Sequence, residues 1–194
     1  DNNFSHYTPV PGLAELREAI SEKLKRDNGL DYTPEQIVVS TGAKQSIANV
    51  CMSLLNPGDE VLLPAPYWVS YFEIIKLAEG TPVEISSSIE TDFKVSPEQL
   101  EAAITPNTKL LLFSTPCNPS GTVYSKTELE AIAKMLVSYP DIYVICDEIY
   151  ELINFGEPHF SMASIPSMKE RVITVNGVSK GFAMTGWRVG YIAA

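Results

Sequence analysis

Residues 177–190, Gly-Val-Ser-Lys-Gly-Phe-Ala-Met-Thr-Gly-Trp-Arg-Val-Gly, place one lysine, Lys180, in a loop of small residues between two apolar runs. Ser179 stands beside it, and Arg188 follows eight positions on. A lone lysine in such a loop is a solvated charge. A lysine with a hydroxyl and a guanidinium held near it suits a reactive amine next to a bound phosphate, which Arg188 can grip with its planar fork of donors. Asp147 closes the apolar run 142–146 and precedes Glu148, Ile149 and Tyr150. Alone it reads as a helix cap or turn residue. Beside a cationic ring nitrogen, an ionised carboxyl would instead keep that nitrogen protonated, because opposite charge favours the charged form. Asn118 lies in Ser-Thr-Pro-Cys-Asn-Pro-Ser-Gly, 114–121, an ordinary turn by composition, whose two prolines permit a cis bond. Ser40-Thr-Gly-Ala-Lys-Gln45 joins a strand-like run to a helix-like one, and the free N–H groups at a helix start bind phosphate well. Trp68 is core by default, yet a flat ring beside a strand end also suits stacking.

These residues need elements to carry them, and the apolar periodicity supplies a set. Helical spacing runs from Leu13 to about Lys25, with Leu13, Leu16, Ile20 and Leu24 on one side. Further helices are expected at about 43–55, 69–78, 97–104 and 126–138. Short apolar runs at 37–40, 60–63, 82–85, 109–113, 142–146, 171–175 and 189–193 read as seven strands. Strands apolar on both faces and alternating with helices indicate a mostly parallel sheet in a three-layer α-β-α arrangement. The connection 176–188 is short and lacks a clear crossover helix, so the last strand is expected to be antiparallel. In such sheets ligands gather outside the carboxyl ends of the strands, and nearly every unusual residue lies just after one.

The bulk numbers exclude several classes. At 194 residues the chain is long enough for one domain with a substantial core. A net charge of −10 argues against a nucleic-acid or anionic-membrane surface, and no apolar run is long enough to span a bilayer. Any phosphate must therefore meet a local site and not a basic face. Cys51, Cys117 and Cys146 lack metal-type spacing and give no disulfide framework, which fits free thiols in a reducing, cytoplasmic setting. His6 and His159 sit in polar loop contexts and are not read as catalytic. No Ser-His-Asp constellation, paired-carboxylate site or metal cluster can be assembled from the spacing.

The segment 177–190, together with Asp147-Glu-Ile-Tyr150 and Asn118-Pro-Ser-Gly121 in their chain order, resembles the class I/II aminotransferases, fold-type I enzymes dependent on pyridoxal 5'-phosphate (PLP). The resemblance implies that Lys180 holds PLP as an imine and then acts as the base, with Asp147 on the pyridine nitrogen. It implies that Tyr150 and Asn118 reach the phenolic oxygen, and that Gly42, Ala43 and Lys44 (through their backbones), Ser179 and Arg188 hold the phosphate. The stretch around Trp68 is similar to the stacking segment of bacterial aspartate- and aromatic-type members. Tyr7 resembles the tyrosine that reaches the phosphate of a neighbouring subunit, which implies a homodimer. Amino-acid and 2-oxo-acid substrates follow, with aspartate first and aromatic amino acids second. The likeness covers the whole chain but about half of a family member. It leads us to expect a truncated large domain over 1–194, without the C-terminal small domain whose arginine grips the substrate α-carboxylate. Three alternatives stay open at this point: a PLP-binding domain of a transcription regulator, a PLP lyase on the same scaffold, and an unrelated nucleotide-binding α/β domain.

Overall fold

The computed structural model describes residues 5–156 and 158–194. In chain order the elements are α1 (Ala14–Asn28), β1 (Ile37–Ser40), α2 (Ala43–Leu54), β2 (Glu60–Pro64), α3 (Ser70–Leu77), β3 (Thr81–Ile85), α4 (Pro97–Ala103), β4 (Thr108–Ser114), α5 (Lys126–Leu136), β5 (Tyr143–Asp147), β6 (Val172–Gly177) and β7 (Gly190–Ala193). The seven strands make one sheet in the order β1-β7-β6-β5-β4-β2-β3.

Local chemistry explains where the helices begin and stop. In α1, Ile20 and Leu24 are buried four residues apart on one face, and Lys25 and Arg26 lie at the negative end of the helix dipole. The helix runs past the expected stop at Lys25, because its terminator is Gly29, which takes a left-handed conformation (φ 67°). Helix α5 starts on a capping box in which Ser125 and Glu128 satisfy each other's backbone N–H groups.

The sheet is covered on both faces, and the side-chain period of two sorts its residues. Leu62, Leu111, Val144 and Cys146 pack on one side with Ile20 of α1, Leu100 of α4 and Leu129 of α5. Val61, Leu63, Leu110, Leu112 and Ile145 pack on the other with Ile47 of α2 and Ile75 of α3. Each such fully buried side chain contributes about 1.5–3 kcal/mol of hydrophobic stabilisation, which is why these strands are apolar on both faces and read as continuous runs.

Strands β3, β2, β4, β5 and β6 pair in parallel. As expected, the last strand is antiparallel, and it sits inside the sheet between β6 and β1. The connection 178–189 holds only a short 3-10 turn, Thr185–Trp187. Strand β6 runs to Gly177, beyond the expected 175, because Gly177 pairs with Gly190. A Cβ at Gly177 would lie 2.6 Å from the Val189 carbonyl oxygen, so the glycine that reads as a breaker in sequence is what allows this close pairing. From β2 the chain passes outward to β3, then returns to β4 on the other side. That reversal opens a crevice at the carboxyl ends of β2, β4 and β5. No helix among the described residues is long and apolar enough to cross a membrane.

Candidate active site

Strand β5 carries Asp147 to the mouth of this crevice. The residue is 3% exposed, and its carboxyl accepts from the Tyr71 hydroxyl at 2.6 Å and from the Ile149 backbone N–H at 3.1 Å. Burial pushes the group up to about 6, against the opposing pull of those two donors. Glu148 adds a further upward push and the Lys180 ammonium a downward one. A buried acid poised near neutrality, with one cation in range, is prepared to ionise when a second cation arrives.

The turn after β5 places Tyr150 beside the loop after β4. There the Asn118 side-chain amide donates to the Tyr150 hydroxyl at 3.3 Å, so two residues 32 apart in sequence converge on one point. The Asn118–Pro119 bond is cis, as are Thr115–Pro116 and Ala65–Pro66. The Lys180 ammonium lies 5.9 Å from the centre of the Tyr150 ring. Lys180 is exposed and Ser179 buried, since the chain turns outward there as it leaves β6.

On the opposite wall, α2 begins at Ala43 with Gly42 as its cap (φ 97°). The first amides of a helix, here those of Ala43 and Lys44, lack partners within it and present its positive end. Arg188 lies across this terminus in a left-handed conformation (φ 55°). Its guanidinium donates to the carbonyls of Thr185 at 2.7 Å and Thr41 at 3.1 Å. A Cβ on Gly42 would stand 2.2 Å from Arg188 Nη2, and one on Gly190 would stand 2.2 Å from the Ala43 nitrogen. Two glycines thus let a guanidinium and a strand press against a helix start. The result is a cradle of backbone N–H groups and one fork of donors, suited to a dianion such as phosphate.

Trp68 lies at the start of α3, with Tyr71 edge-on to it (centroids 5.5 Å apart, planes at 88°). The Lys44 ammonium sits 4.7 Å from the centre of the Trp68 ring, a cation–π contact. An open cavity of about 220 Å³ joins all these groups, lined by Ala43, Lys44, Trp68, Asn118, Asp147, Tyr150, Ser179, Lys180 and Arg188, together with Tyr71, Ile149 and Thr185. The residues singled out in the sequence are therefore brought together, with two exceptions. Gly42 lies behind the lining, under Arg188. Tyr7 is fully exposed and takes no part in this cavity.

Sequence reasoning missed Tyr71, which reads as a core aromatic of an amphipathic helix. Its spacing of three from Trp68 was the available signal. The view of His159 as a residue in a polar loop needs correction. Its side chain is 9% exposed, and Nε2 lies 3.0 Å from an oxygen of the fully buried Glu148. Nothing in the local composition around 159 indicates that burial.

Fold and site together define a three-layer α/β domain with a helix start under a guanidinium, a lysine amine and a buried acid gathered at the carboxyl ends of its strands. The chain belongs to the class I and II aminotransferase family, whose profile matches residues 1–194. It is 49% identical to an aspartate/prephenate aminotransferase of Cereibacter sphaeroides, over 100% of this chain and 49% of that protein. It is 54% identical to a bifunctional aspartate aminotransferase and glutamate/aspartate-prephenate aminotransferase of Petunia hybrida, over 97% of this chain and 40% of that one. Among solved structures, the aspartate aminotransferase of Rhizobium meliloti superposes with a TM-score of 0.95 at 44% identity, covering 97% of this chain and 48% of that one. The aromatic aminotransferase of Pyrococcus horikoshii gives 0.94 at 46% identity, covering 97% and 51%. The chain spans about half the length of the curated relatives it matches.

Proposed function

We propose that this chain is the cofactor-binding large domain of a PLP-dependent aminotransferase that moves an amino group between an aspartate-like L-amino acid and a 2-oxo acid. The observation that carries this reading is the convergence on one cavity of Lys180 and Arg188 from the β6–β7 connection, Asp147 from the end of β5 and the start of α2. The donor set fits the cofactor. The cradle of α2 amides, Ser179 and Arg188 matches a phosphate, Asp147 matches a pyridine nitrogen, and the Asn118–Tyr150 pair matches a phenolic oxygen. When bound, PLP supplies an electron-withdrawing ring that eases removal of a proton from the amino acid's α-carbon.

The chain's own residues do the rest. Lys180 Nζ would hold the cofactor, and its free amine would serve as the base that carries the α-proton. Asp147 ionises opposite the ring nitrogen and keeps it protonated. Tyr150 donates toward the phenolic oxygen, with Asn118 fixing its hydroxyl, and the Trp68 ring offers a stacking face. Arg188 and the start of α2 would anchor the phosphate.

An aspartate-like substrate is supported by the names of the relatives. It also suits Lys44, whose ammonium lines the cavity without a carboxylate partner among the described residues. Arg17 and Arg171 are bound to backbone carbonyls and Arg26 to Asp27, so the grip on the substrate α-carboxylate is assigned to a part of the protein outside this chain. Tyr7, projecting into solvent, is assigned to the site of a second subunit in a homodimer. The free thiols of Cys51, Cys117 and Cys146 fit a cytoplasmic setting.

Borohydride reduction of the intact protein with PLP, followed by peptide mapping, tests the reading. The label is expected on Lys180, and a label on any other lysine refutes the assignment. Formation of oxaloacetate from aspartate and a 2-oxo acid tests the reaction, and ammonia as the product would point to elimination chemistry instead.

A further inference from the structure

Asp147 and Glu148 are consecutive, and both are buried at the end of β5. The strand's alternation sends them to opposite faces of the sheet. Asp147 faces Tyr71 of α3, and Glu148 follows Cys146 to the side covered by α1. Glu148 is 0% exposed. One of its oxygens accepts from the Ser161 hydroxyl at 2.6 Å, and the other lies 3.0 Å from His159 Nε2. A carboxylate so far from water needs a counter-charge, and the imidazole is the partner in contact with it. A second layer surrounds the pair: the Glu151 carboxylate is bound by Lys23 and by Asn28 of α1. Glu148, Glu151 and His159 bring ligand-type atoms within 4.8 Å of one another, and the Glu151 carboxylate of that group is already paired with the Lys23 ammonium. The remaining titratable groups facing Glu148 are Cys146 of β5, Tyr32 ahead of β1, and Tyr191 of β7.

We propose that protonated His159 is the counter-charge that lets two adjacent buried carboxyls share one strand end, and that it thereby keeps Asp147 able to ionise against the cofactor's ring nitrogen. His159 is on this view a positioning residue, acting on Asp147 through Glu148, and the inference rests on the PLP reading given above. Two observations support it. The His159 ring and Glu148 are in contact at 3.0 Å inside the fold, and that contact holds the imidazole above its usual value against the cost of burial. Glu148 is also the residue next to Asp147, and its charge pushes Asp147 toward its protonated form. Without His159 that push goes unopposed.

The test is equilibrium binding of PLP to the intact apoprotein from pH 5 to 9, followed by absorbance, for wild type, His159→Gln and the double variant Glu148→Gln/His159→Gln. Wild-type affinity is expected to fall on the acid side as Asp147 takes up its proton. In His159→Gln that acid limb moves up by about one pH unit, which weakens binding about fivefold at pH 6 and leaves it unchanged near pH 9. The double variant, with no Glu148 charge left to shield, returns the limb to its wild-type place. A loss in His159→Gln that is equal at every pH, or that the double variant fails to rescue, overturns the inference in favour of simple packing. The His159 ring titration in wild type, read by NMR with selectively labelled histidine and assigned by its shift in Glu148→Gln, gives an answer even where His159→Gln does not fold. A ring already neutral at pH 6.5 overturns the proposal. Absence of PLP binding in wild type is a separate result, and it sinks the functional reading itself.

Discussion

Replacing Tyr71 by phenylalanine removes the hydroxyl that donates to the Asp147 carboxyl, 2.6 Å away. The phenyl ring still fills its slot against Trp68, so the fold should survive. A hydrogen bond to a charged acceptor is worth about 1.5–3 kcal/mol, and one pKa unit corresponds to about 1.4 kcal/mol. Losing the bond therefore raises Asp147 by about 1–2 units from its present position near 6. If cofactor binding requires the ionised acid, affinity follows the ionised fraction. Taking about 7.5 for the variant, binding weakens about fifteenfold at pH 6 and about fourfold at pH 7, and recovers almost fully by pH 9. The assay is titration of the intact apoprotein with PLP across that range, monitored by absorbance. A pH-independent loss would show that Tyr71 acts through packing alone. No loss at pH 6 would show that Asp147 does not need the bond to ionise, and either result refutes the reasoning.

Asp147→Asn should abolish tight cofactor binding yet stabilise the apoprotein above pH 6. The folded carboxyl keeps its proton up to about 6, while the unfolded one releases it near 3.8. Stability is therefore full below the unfolded value, is lost as pH rises between the two, and stays low above. The ceiling on that loss is about 3 kcal/mol. Urea unfolding of apoprotein at pH 8 and pH 4 checks it, and an equal difference at both values counts against it. Gly42→Ala forces Arg188 off the start of α2, because the new Cβ would sit 2.2 Å from Nη2 at φ 97°. The side chain of Arg188 can yield but the backbone, in a region that only glycine adopts readily, cannot, so we expect about 1–3 kcal/mol of lost stability together with clearly weaker inorganic phosphate binding, both measurable by calorimetry. Gly190→Ala meets the Ala43 backbone nitrogen at the same distance, which cannot yield, so poor folding in an expression and thermal-melt comparison is the expected contrast. Lys180→Ala should remove the borohydride-fixed label and leave the melting profile nearly intact, since this exposed side chain packs against little.

Most of the fold was legible because the strands are buried on both faces. Runs such as 109–113 and 142–146 indicate strands at the centre of a covered sheet, and the 12-residue link 178–189, which carries only a 3-10 turn, favours the antiparallel β7 that is found. Most boundaries fell within two residues of those expected, and two of the slips are decided by glycine. Gly29 extends α1 and Gly177 extends β6, and a glycine read in isolation does not say whether it ends an element or lets two elements touch.

Residue types and their order along the chain settled which groups could do chemistry: an amine, an acid, a guanidinium and a helix start, each following a strand. Those are local properties, carried by a few neighbouring residues. Tertiary structure alone decided that Tyr71 holds Asp147, that Arg188 rests on Gly42, and that His159 faces a buried Glu148. The first two of these contacts join residues far apart in the chain and the third spans an irregular loop, and whether a tyrosine or a histidine is core, surface or counter-ion depends on what the fold sets opposite it. Proximity of that kind is a property of packing, so it leaves no periodicity for a sequence to display.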